Sequence, residues 1–372
     1  MENLTLLVNG TTAFPELISA IEHATTSVEI NMFIWRDDII GNRMAEAVLM
    51  AANHGVKVSI SIDRYGVVLE KSEESKKSFF HKTLTFTEKV QVATLEVLYP
   101  KNGPRGKVKD QSTDLYRQIM NHPNIHVHSH EFKADHSKYY IIDDQILFLG
   151  GINIEDKENG CDFNGRAYGD YMVKLSGAHY VTAFREKLQT GANTLDRIYF
   201  GINHKKAPRQ FEMEQLYLNL IQQAKTELHI TMAYFSPLKQ FMTALIDAHK
   251  RGVRITIVIP AHANLQSDSN RRTMGKLLKA TNGEINVYLS PNMLHTKLIM
   301  NEQYISLGST NINKKAFCQL DEVNLFVPNT NSTFVSALKE SVRNDINKAQ
   351  LVKTAEEIKY NRLLAFFECF VV

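Results

Sequence analysis

Two short stretches of the sequence each place a histidine and a lysine two residues apart, at the start of an apolar segment. The first, HSKYYIIDDQILFLGGINI, opens with His136 and Lys138, and the second, HTKLIMNEQYISLGSTNIN, opens with His295 and Lys297. In an extended chain, residues two apart lie on the same face, so each histidine projects together with its lysine. One such pair is typical of a charged strand end. Two copies, each on an apolar hairpin, are hard to obtain from folding needs alone and indicate chemistry.

The rest of each stretch repeats the same residue types in nearly the same order. After the first strand come a carboxylate in a turn, a second strand, two small residues and an asparagine. These residues are Asp143, Gly150, Gly151 and Asn153 in the first stretch, and Glu302, Gly308, Ser309 and Asn311 in the second. In the first stretch the pattern predicts strands over 139–142 and 146–149, joined by a turn at 143–144.

These groups suit attack on a phosphodiester, which needs a nucleophile, a proton donor for the leaving alkoxide and positive charge near the phosphoryl oxygens. One histidine can attack phosphorus while the other protonates the leaving group and then deprotonates the acceptor. Lys138 and Lys297 supply positive charge, and Asn153 and Asn311 can donate amide hydrogens. No separate set of metal ligands is visible in the sequence. We therefore expect catalysis without a metal or another cofactor.

Composition places few limits on function. The chain has 372 residues, 44% of them hydrophobic and 22% charged, with a net charge of +3. These values are ordinary for a globular protein, and they do not favour a nucleic-acid partner. Three cysteines do not suggest a disulfide scaffold. We see neither a signal peptide nor an apolar run of the roughly 20 residues that a membrane span needs. The expected location is the cytoplasm or the inner face of the membrane, at its periphery.

The chain repeats itself at long range. Each half has a helix followed by a strand, then a helix that ends at a glycine (Gly55 or Gly252) followed at once by another strand. The matching segments are 17–35 with 216–235 and 44–63 with 241–260. Alternating helices and strands predict an α/β fold built from two pseudo-symmetric α/β/α halves with mixed sheets. We assign residues 1–205 to the first half and 206–372 to the second, which ends in a helical tail.

The first half carries an insertion at about 66–110. It is polar, rich in lysine and interrupted by glycine and proline, which is typical of a solvated surface excursion. A lid, or a basic face toward anionic lipid, is the functional alternative. At the other end of the chain, LLAFFECFVV (363–372) is expected to pack on the body of the protein or to lie against a membrane surface. Its last four residues, from Cys369, match a prenylation box, a short pattern that carries little weight alone.

The paired H-x-K motifs, with G-G-x-N after the first, resemble the phospholipase D superfamily. The flanking segments are similar to the bacterial cardiolipin synthase branch, over nearly the whole chain from residue 4 to about 345. The resemblance implies transfer of a phosphatidyl group through a phosphohistidine, with His136 as nucleophile and His295 as general acid and base. It also implies an acid downstream of each motif that orients the histidine of the other half. Asp170 would orient His295, and Glu322 would orient His136.

By this resemblance the two half-sites complete one site across a pseudo-two-fold axis, so a monomer suffices. Asp143 and Glu302, with the small residues 150, 151, 308 and 309, are expected to have structural roles. The expected partners are a phospholipid substrate and a peripheral membrane surface.

Three alternatives stay open at the sequence level. Water in place of a lipid alcohol would make the enzyme a phospholipase D that forms phosphatidic acid. The same paired histidines could serve a nuclease or another phosphodiesterase, although the near-neutral charge argues against nucleic acid. A protein without catalytic activity could keep the fold as a scaffold, but both motifs are complete.

Overall fold

The computed structural model describes residues 3–72, 78–98, 113–160, 167–205 and 209–371. The chain divides into two compact units, Glu2–Arg185 and Glu186–Val372. Each unit has its own sheet and its own hydrophobic core.

The first unit alternates strands and helices from its first residues, and it contains a one-turn 3-10 helix at Asp156–Glu158. Its strands are β1 (Leu4–Val8), β2 (Ser27–Met32), β3 (Lys57–Ile62), β4 (Ile125–His128), β5 (Tyr139–Ile142), β6 (Ile146–Gly150), β7 (Tyr168–Gly169) and β8 (Tyr171–Ser176). Its helices are α1 (Asn9–Glu22), α2 (Ile39–Asn53), α3 (Arg64–Ser72), α4 (Phe86–Leu98) and α5 (Asp114–Asn121). The helix α6 (Ala178–Thr190) carries the chain into the second unit.

The second unit repeats this alternation and adds a one-turn 3-10 helix at Ala355–Glu357. Its strands are β9 (Tyr199–His204), β10 (Gln210–Phe211), β11 (Glu227–Met232), β12 (Phe235–Ser236), β13 (Arg254–Pro260), β14 (Asn286–Ser290), β15 (Met293–Leu294), β16 (Lys297–Asn301), β17 (Tyr304–Gly308), β18 (Ile312–Asn313), β19 (Glu322–Pro328) and β20 (Gln350–Val352). Its helices are α7 (Met213–Gln223), α8 (Lys239–Lys250), α9 (Ser267–Ala280), α10 (Lys314–Cys318), α11 (Thr333–Lys348) and α12 (Arg362–Val371).

The two large sheets share one strand order. The first runs β1-β8-β6-β5-β2-β3-β4, and the second runs β9-β19-β17-β16-β11-β13-β14 with β10 added beyond β9 and β20 beyond β14. In each sheet the last three strands of that shared order are parallel, and the other neighbours are antiparallel. The predicted α/β fold with duplicated halves and mixed sheets is therefore confirmed.

The helix ends predicted at the two glycines have the same geometry in both units. Gly55 follows α2 with φ +92°, and Gly252 follows α8 with φ +85°. After α2, the N–H groups of Gly55 and Val56 donate to the carbonyls of Ala52 and Ala51, at 3.0 and 3.2 Å. After α8 the corresponding bonds are 2.8 and 3.1 Å. This pair of bonds satisfies carbonyls that the helix end leaves open, and it turns the chain directly into the parallel strands β3 and β13.

The predicted boundary at 205/206 assigned β9 to the first half. In the structure β9 pairs antiparallel with β19, so it completes the second sheet as β1 completes the first. The C-terminal segment forms α12, which packs on α9 through the buried Ala365 and Glu368. Four apolar side chains of α12 are exposed, at positions 363, 364, 366 and 367. The side chains of the last four residues, with Cys369, lie outside the described residues.

Part of the predicted insertion belongs to the first core. Ser78, Phe79, Phe80 and His81 are all buried, and the N–H of Phe79 donates to the carbonyl of Trp35 at 2.9 Å. The expectation of a solvated surface excursion is wrong for these residues, because two adjacent phenylalanines within a polar stretch supply enough apolar surface to enter the core. Residues 73–77 and 99–112 of the insertion lie outside the described residues.

Across the part of the chain that the structure describes, no helix is both long enough and apolar enough to cross a membrane.

Candidate active site

The first half-site centres on His136, which lies in the loop just before β5 and has only 8% of its surface exposed. The ring of Phe33, which follows β2, packs edge-on against the imidazole with 4.8 Å between the ring centres. The strand β2 pairs with β5, so the sheet itself brings these two side chains together. One wall of this half-site is therefore aromatic.

The loop that carries His136 is fixed by two aspartates and an asparagine. Asp63, at the end of β3, accepts a hydrogen bond from the N–H of Asp135. Asp135 accepts the N–H of Ser137 at 2.9 Å. The amide of Asn31 donates to the Asp135 carboxylate at 3.1 Å and to the Ser137 carbonyl at 3.2 Å. Sequence reasoning missed this network, because Asn31 and Asp63 are far from the motif in the chain and become its neighbours only in the folded sheet.

Burial of Asp63 raises the pKa of its carboxyl to about 6, with the nearby charge of Asp135 acting in the same direction and three backbone N–H groups opposing it. Asp63 is thus mainly ionised at pH 7, where its carboxylate can accept the N–H groups of the loop. As the pH falls through about 6, this carboxylate takes up a proton.

Each motif lysine contacts the backbone of its own histidine. Lys138 Nζ donates to the His136 carbonyl at 2.6 Å, and Lys297 Nζ donates to the His295 carbonyl. Both lysine side chains are almost completely buried. The structure thus brings together the two residues of each predicted pair, and it holds an ammonium group within the loop that presents each histidine.

The second half-site has a more polar wall. His295, 5% exposed, lies between β15 and β16. The ring of Tyr234 meets its imidazole edge-on with 6.2 Å between the ring centres. The Tyr234 hydroxyl donates to Asn264 Oδ1 at 2.7 Å. The two histidines therefore have different neighbours although their motifs match.

The two motif asparagines are buried, each soon after the second strand of its hairpin. Asn311 Oδ1 accepts the N–H of Tyr234 at 3.3 Å. Within the described residues Asn153 Oδ1 is buried without a hydrogen-bond partner. A buried polar atom without a partner is costly.

The two downstream acids lie beside the small residues of their motifs. A Cβ atom at Gly151 would come within 2.7 Å of the Asp170 Cγ. In the second unit, the Ser309 hydroxyl donates to Glu322 at 2.5 Å. Both acids are buried. The glycine leaves space for the Asp170 carboxylate, and the serine holds the Glu322 carboxylate by a hydrogen bond.

The duplication extends to an asparagine beside each acid, Asn9 just after β1 and Asn203 on β9. Asn9 and Asp170 exchange backbone and side-chain bonds: the N–H of Asn9 donates to the Asp170 carbonyl at 2.8 Å, and the N–H of Asp170 donates to Asn9 Oδ1 at 3.1 Å. In the second sheet, Asn203 stands opposite Glu322 in the pairing of β9 with β19. Sequence reasoning missed both asparagines, since neither lies near its motif in the chain.

The turn carboxylates hold the start of a neighbouring strand. Asp143 accepts the N–H groups of Thr25, Thr26 and Ser27 at 2.7–2.9 Å. Partial burial raises the pKa of the Asp143 carboxyl, but these hydrogen bonds outweigh it and bring the pKa down to about 2.

In the second unit, Glu302 accepts the N–H groups of Lys225 and Thr226 at 2.9 and 3.4 Å. Partial burial again acts against the hydrogen bonds, which prevail and lower the pKa of the Glu302 carboxyl. Glu302 thus bonds to the backbone just before β11, as Asp143 bonds to the backbone at the start of β2.

The glycines that end each hairpin lie against the next strand. A Cβ atom at Gly150 would come within 2.8 Å of the Met172 Cα, and one at Gly308 within 2.6 Å of the Asn324 Cα. Since both obstacles are backbone atoms of the adjacent strand, a side chain at either position would separate β6 from β8 or β17 from β19.

Each half-site can therefore offer an imidazole, an ammonium group and an amide. The pairing of each acid with the histidine of the opposite half stays a prediction, as does catalysis without a metal.

The sequence matches the family described as "Cardiolipin synthase, PLD-like domain" over residues 17–190 and 217–346. Cardiolipin synthase B of Escherichia coli K12 is 25% identical over 345 residues, which cover 87% of this chain and 75% of that protein. A minor cardiolipin synthase of Bacillus subtilis is 24% identical over 365 residues, covering 94% of this chain and 83% of its own.

Among solved structures, phosphatidylserine synthase of Haemophilus influenzae superposes with a TM-score of 0.72 at 13% identity. The superposition covers 98% of this chain and 92% of that one. At this identity the likeness concerns the fold alone.

Proposed function

The chain belongs to the phospholipase D-like family of cardiolipin synthases, and from this premise we propose that it is a phosphatidyltransferase. It moves the phosphatidyl group of one phosphatidylglycerol to the hydroxyl of a second, which forms cardiolipin and releases glycerol. It acts as a monomer at the periphery of a phospholipid membrane.

In the first step, an imidazole nitrogen of His136 attacks the phosphorus of the donor. A P–N bond forms, the P–O bond to the glycerol headgroup breaks, and His295 gives its proton to the leaving alkoxide. Lys138 and Lys297 lower the free energy of the transition state by stabilising charge on the phosphoryl oxygens.

In the second step, the hydroxyl of the acceptor phosphatidylglycerol attacks the same phosphorus. His295, now neutral, takes the hydroxyl proton, the new P–O bond forms, and the P–N bond to His136 breaks. Asp170 and Glu322 act as positioning residues that hold the two imidazoles in the required tautomer.

The observation that carries this proposal is the repeated local geometry of the two motifs. In both units a buried lysine donates to the carbonyl of the histidine two residues before it. A two-step displacement needs a nucleophile and a separate acid and base, and the two motifs supply one histidine for each role.

The test is an analysis of lipid products. Purified protein is incubated with phosphatidylglycerol vesicles labelled in both headgroup and acyl chains. We expect a tetra-acyl product and free glycerol in equal amounts. Phosphatidic acid alone would replace the transferase with a phospholipase D, and unchanged lipid would contradict the proposal.

Replacing the proposed nucleophile should abolish turnover without unfolding the protein. His136→Asn is expected to lower kcat by at least about 1,000-fold, since covalent catalysis is lost. His126→Asn is the matched control, because His126 is an exposed histidine on β4, and it should keep full activity. Equal activity in the two variants would contradict the assignment of His136.

A further inference from the structure

A series of aromatic rings leads from the surface of the first unit to His136. Phe132 is 55% exposed, and its ring meets that of Tyr65 edge-on with 5.1 Å between the ring centres. Tyr65 lies 6.0 Å from Phe33, and Phe33 lies 4.8 Å from the His136 imidazole. Three rings in contact thus connect solvent with the proposed nucleophile, all within one unit.

The inner end of this series is positively charged as well as aromatic. Lys138 Nζ lies 5.1 Å from the centre of the Phe33 ring, within the range of a cation–π contact. The wall therefore changes from apolar at Phe132 to cationic at Lys138 over a few side chains. A phosphatidyl group has the same order, with apolar acyl chains at one end and an anionic phosphate at the other.

The outer ring is held in place by backbone contacts. The N–H of Arg64, the first residue of α3, donates to the carbonyl of Glu131 at 3.1 Å, and Tyr65 is the next residue of that helix. Arg64 Nε also bonds to Glu88 of α4 at 2.7 Å. The first turn of α3, itself bonded to α4, thus holds the backbone next to Phe132, whose large apolar side chain is left exposed.

The second half-site differs at the corresponding wall. The ring beside His295 is Tyr234, whose hydroxyl bonds to Asn264. A wall with an amide and a phenol suits a polar headgroup or an alcohol better than an acyl chain, because the polar groups would lose hydrogen bonds against hydrocarbon.

We propose that Phe132 and Tyr65 form a subsite for an acyl chain of the phosphatidyl group that His136 receives, with the buried Phe33 packed between Tyr65 and the imidazole. This inference rests on the proposed function and adds to it that the acyl-bearing donor binds through the first unit. Phe132 and Tyr65 are specificity-determining residues: they select for hydrocarbon next to the phosphate and do not touch the reacting atoms.

The test is the dependence of kcat/KM on acyl chain length. Dibutanoyl, dihexanoyl and dioctanoyl phosphatidylglycerol are compared as monomers in solution, so that no membrane is involved. Full burial of a methylene contributes ~0.8 kcal/mol, or about fourfold, and contact with one wall should give about twofold per methylene. In Phe132→Ala the rise of kcat/KM with chain length should be smaller than in the wild type. The kcat on bis-nitrophenyl phosphate, which has no acyl chain, should not change.

The control is Phe366→Ala, because Phe366 on α12 is 51% exposed and lies in the second unit. It should keep the chain-length dependence of the wild type. Tyr65→Phe keeps the ring and should keep the dependence as well. An equal rise with chain length in Phe132→Ala and the wild type would overturn the subsite and leave the proposed function standing.

Binding separates this inference from the proposed function. If the wild type turns over no phosphatidylglycerol, the proposed function fails, and the subsite is then tested by titrating His136→Asn with the same lipids. Affinity that rises with chain length and is lower when Phe132→Ala is added supports the subsite. Affinity independent of chain length overturns it.

Discussion

Gly151 is the residue whose replacement would most directly disturb a predicted positioning acid. The space that its missing side chain leaves is filled by the Asp170 carboxylate, with Cγ and Oδ1 both 2.7 Å from the place of a Cβ atom. Neither the turn nor a positive φ requires glycine here. The requirement comes from a side chain nineteen positions further along the chain.

We expect Gly151→Ala to displace the Asp170 carboxylate and to lower kcat by about 100-fold, as misplacements of about 1 Å can do. The free energy of unfolding should fall by about 1–3 kcal/mol. Gly275→Ala is the control, because a Cβ at that position of α9 meets no atom within 4 Å. It should keep full activity and be neutral or up to about 1 kcal/mol more stable. Full activity in Gly151→Ala would show that the position of Asp170 is unimportant.

Asp143 should make stability depend on pH in the acid range. Its pKa is about 2 in the folded protein, against about 3.9 in an unfolded chain. The stabilisation is therefore complete above about pH 4 and is lost as the pH falls toward 2. In Asp143→Asn, the free energy of unfolding, measured with denaturant, should fall less than in the wild type as the pH is lowered from about 4 to 2. At pH 7 the variant should be less stable by about 1–3 kcal/mol, because an amide has one acceptor oxygen.

The control for this measurement is Asp247→Asn, since Asp247 is an exposed residue of α8. Its stability should stay within about 0.5 kcal/mol of the wild type. If Asp143→Asn follows the same pH curve as the wild type, Asp143 does not stabilise the start of β2.

At the scale of elements, hydrophobic periodicity and turn residues predicted much of the fold. The first hairpin, expected over 139–142 and 146–149, matches β5 and β6 to within one residue, and both glycine helix ends are where the sequence placed them. Helix α1 begins at Asn9, before the segment recognised from periodicity. This start was not predicted, because the first turn of the helix is polar and shows no hydrophobic periodicity. The network around Asp63 and Asp135 could not be predicted, since it depends on which strand ends meet in space.

For the stretch containing Phe79, the local composition led to a wrong prediction of exposure. Polar and lysine-rich neighbours predicted a surface segment, but the Phe79 ring is completely buried, 4.9 Å from Phe80 and 5.9 Å from Trp35. Averaging over a window hides two adjacent aromatic residues that reach the core.

Phe79→Ala should therefore lower the free energy of unfolding by about 3–5 kcal/mol, the usual cost of such a cavity. Phe86→Ala serves as the control, because Phe86 is 80% exposed, and it should change stability by less than about 0.5 kcal/mol. The free energy of unfolding of both variants is measured by denaturant titration. Similar small changes in both would mean that residues 78–81 contribute little to the core.

At the scale of the whole molecule, the chain is two units with the same strand order and different local surroundings for their histidines. The duplication was visible in the sequence because helix, glycine and strand recur in the same order. The difference between the aromatic wall beside His136 and the more polar wall beside His295 was not visible in the sequence. The sequence does not show that Phe33 and Tyr234 contact these two histidines.

The most direct test of phosphatidyl transfer is to find the covalent intermediate. Phosphatidylglycerol labelled at phosphorus is mixed with the protein, the reaction is stopped in alkali within the first turnover, and the labelled peptide is identified. We predict an acid-labile label on the peptide that contains His136, absent from His136→Asn and chased into cardiolipin by unlabelled phosphatidylglycerol. A label on the peptide that contains His295, or cardiolipin formation without any labelled protein, would contradict this account.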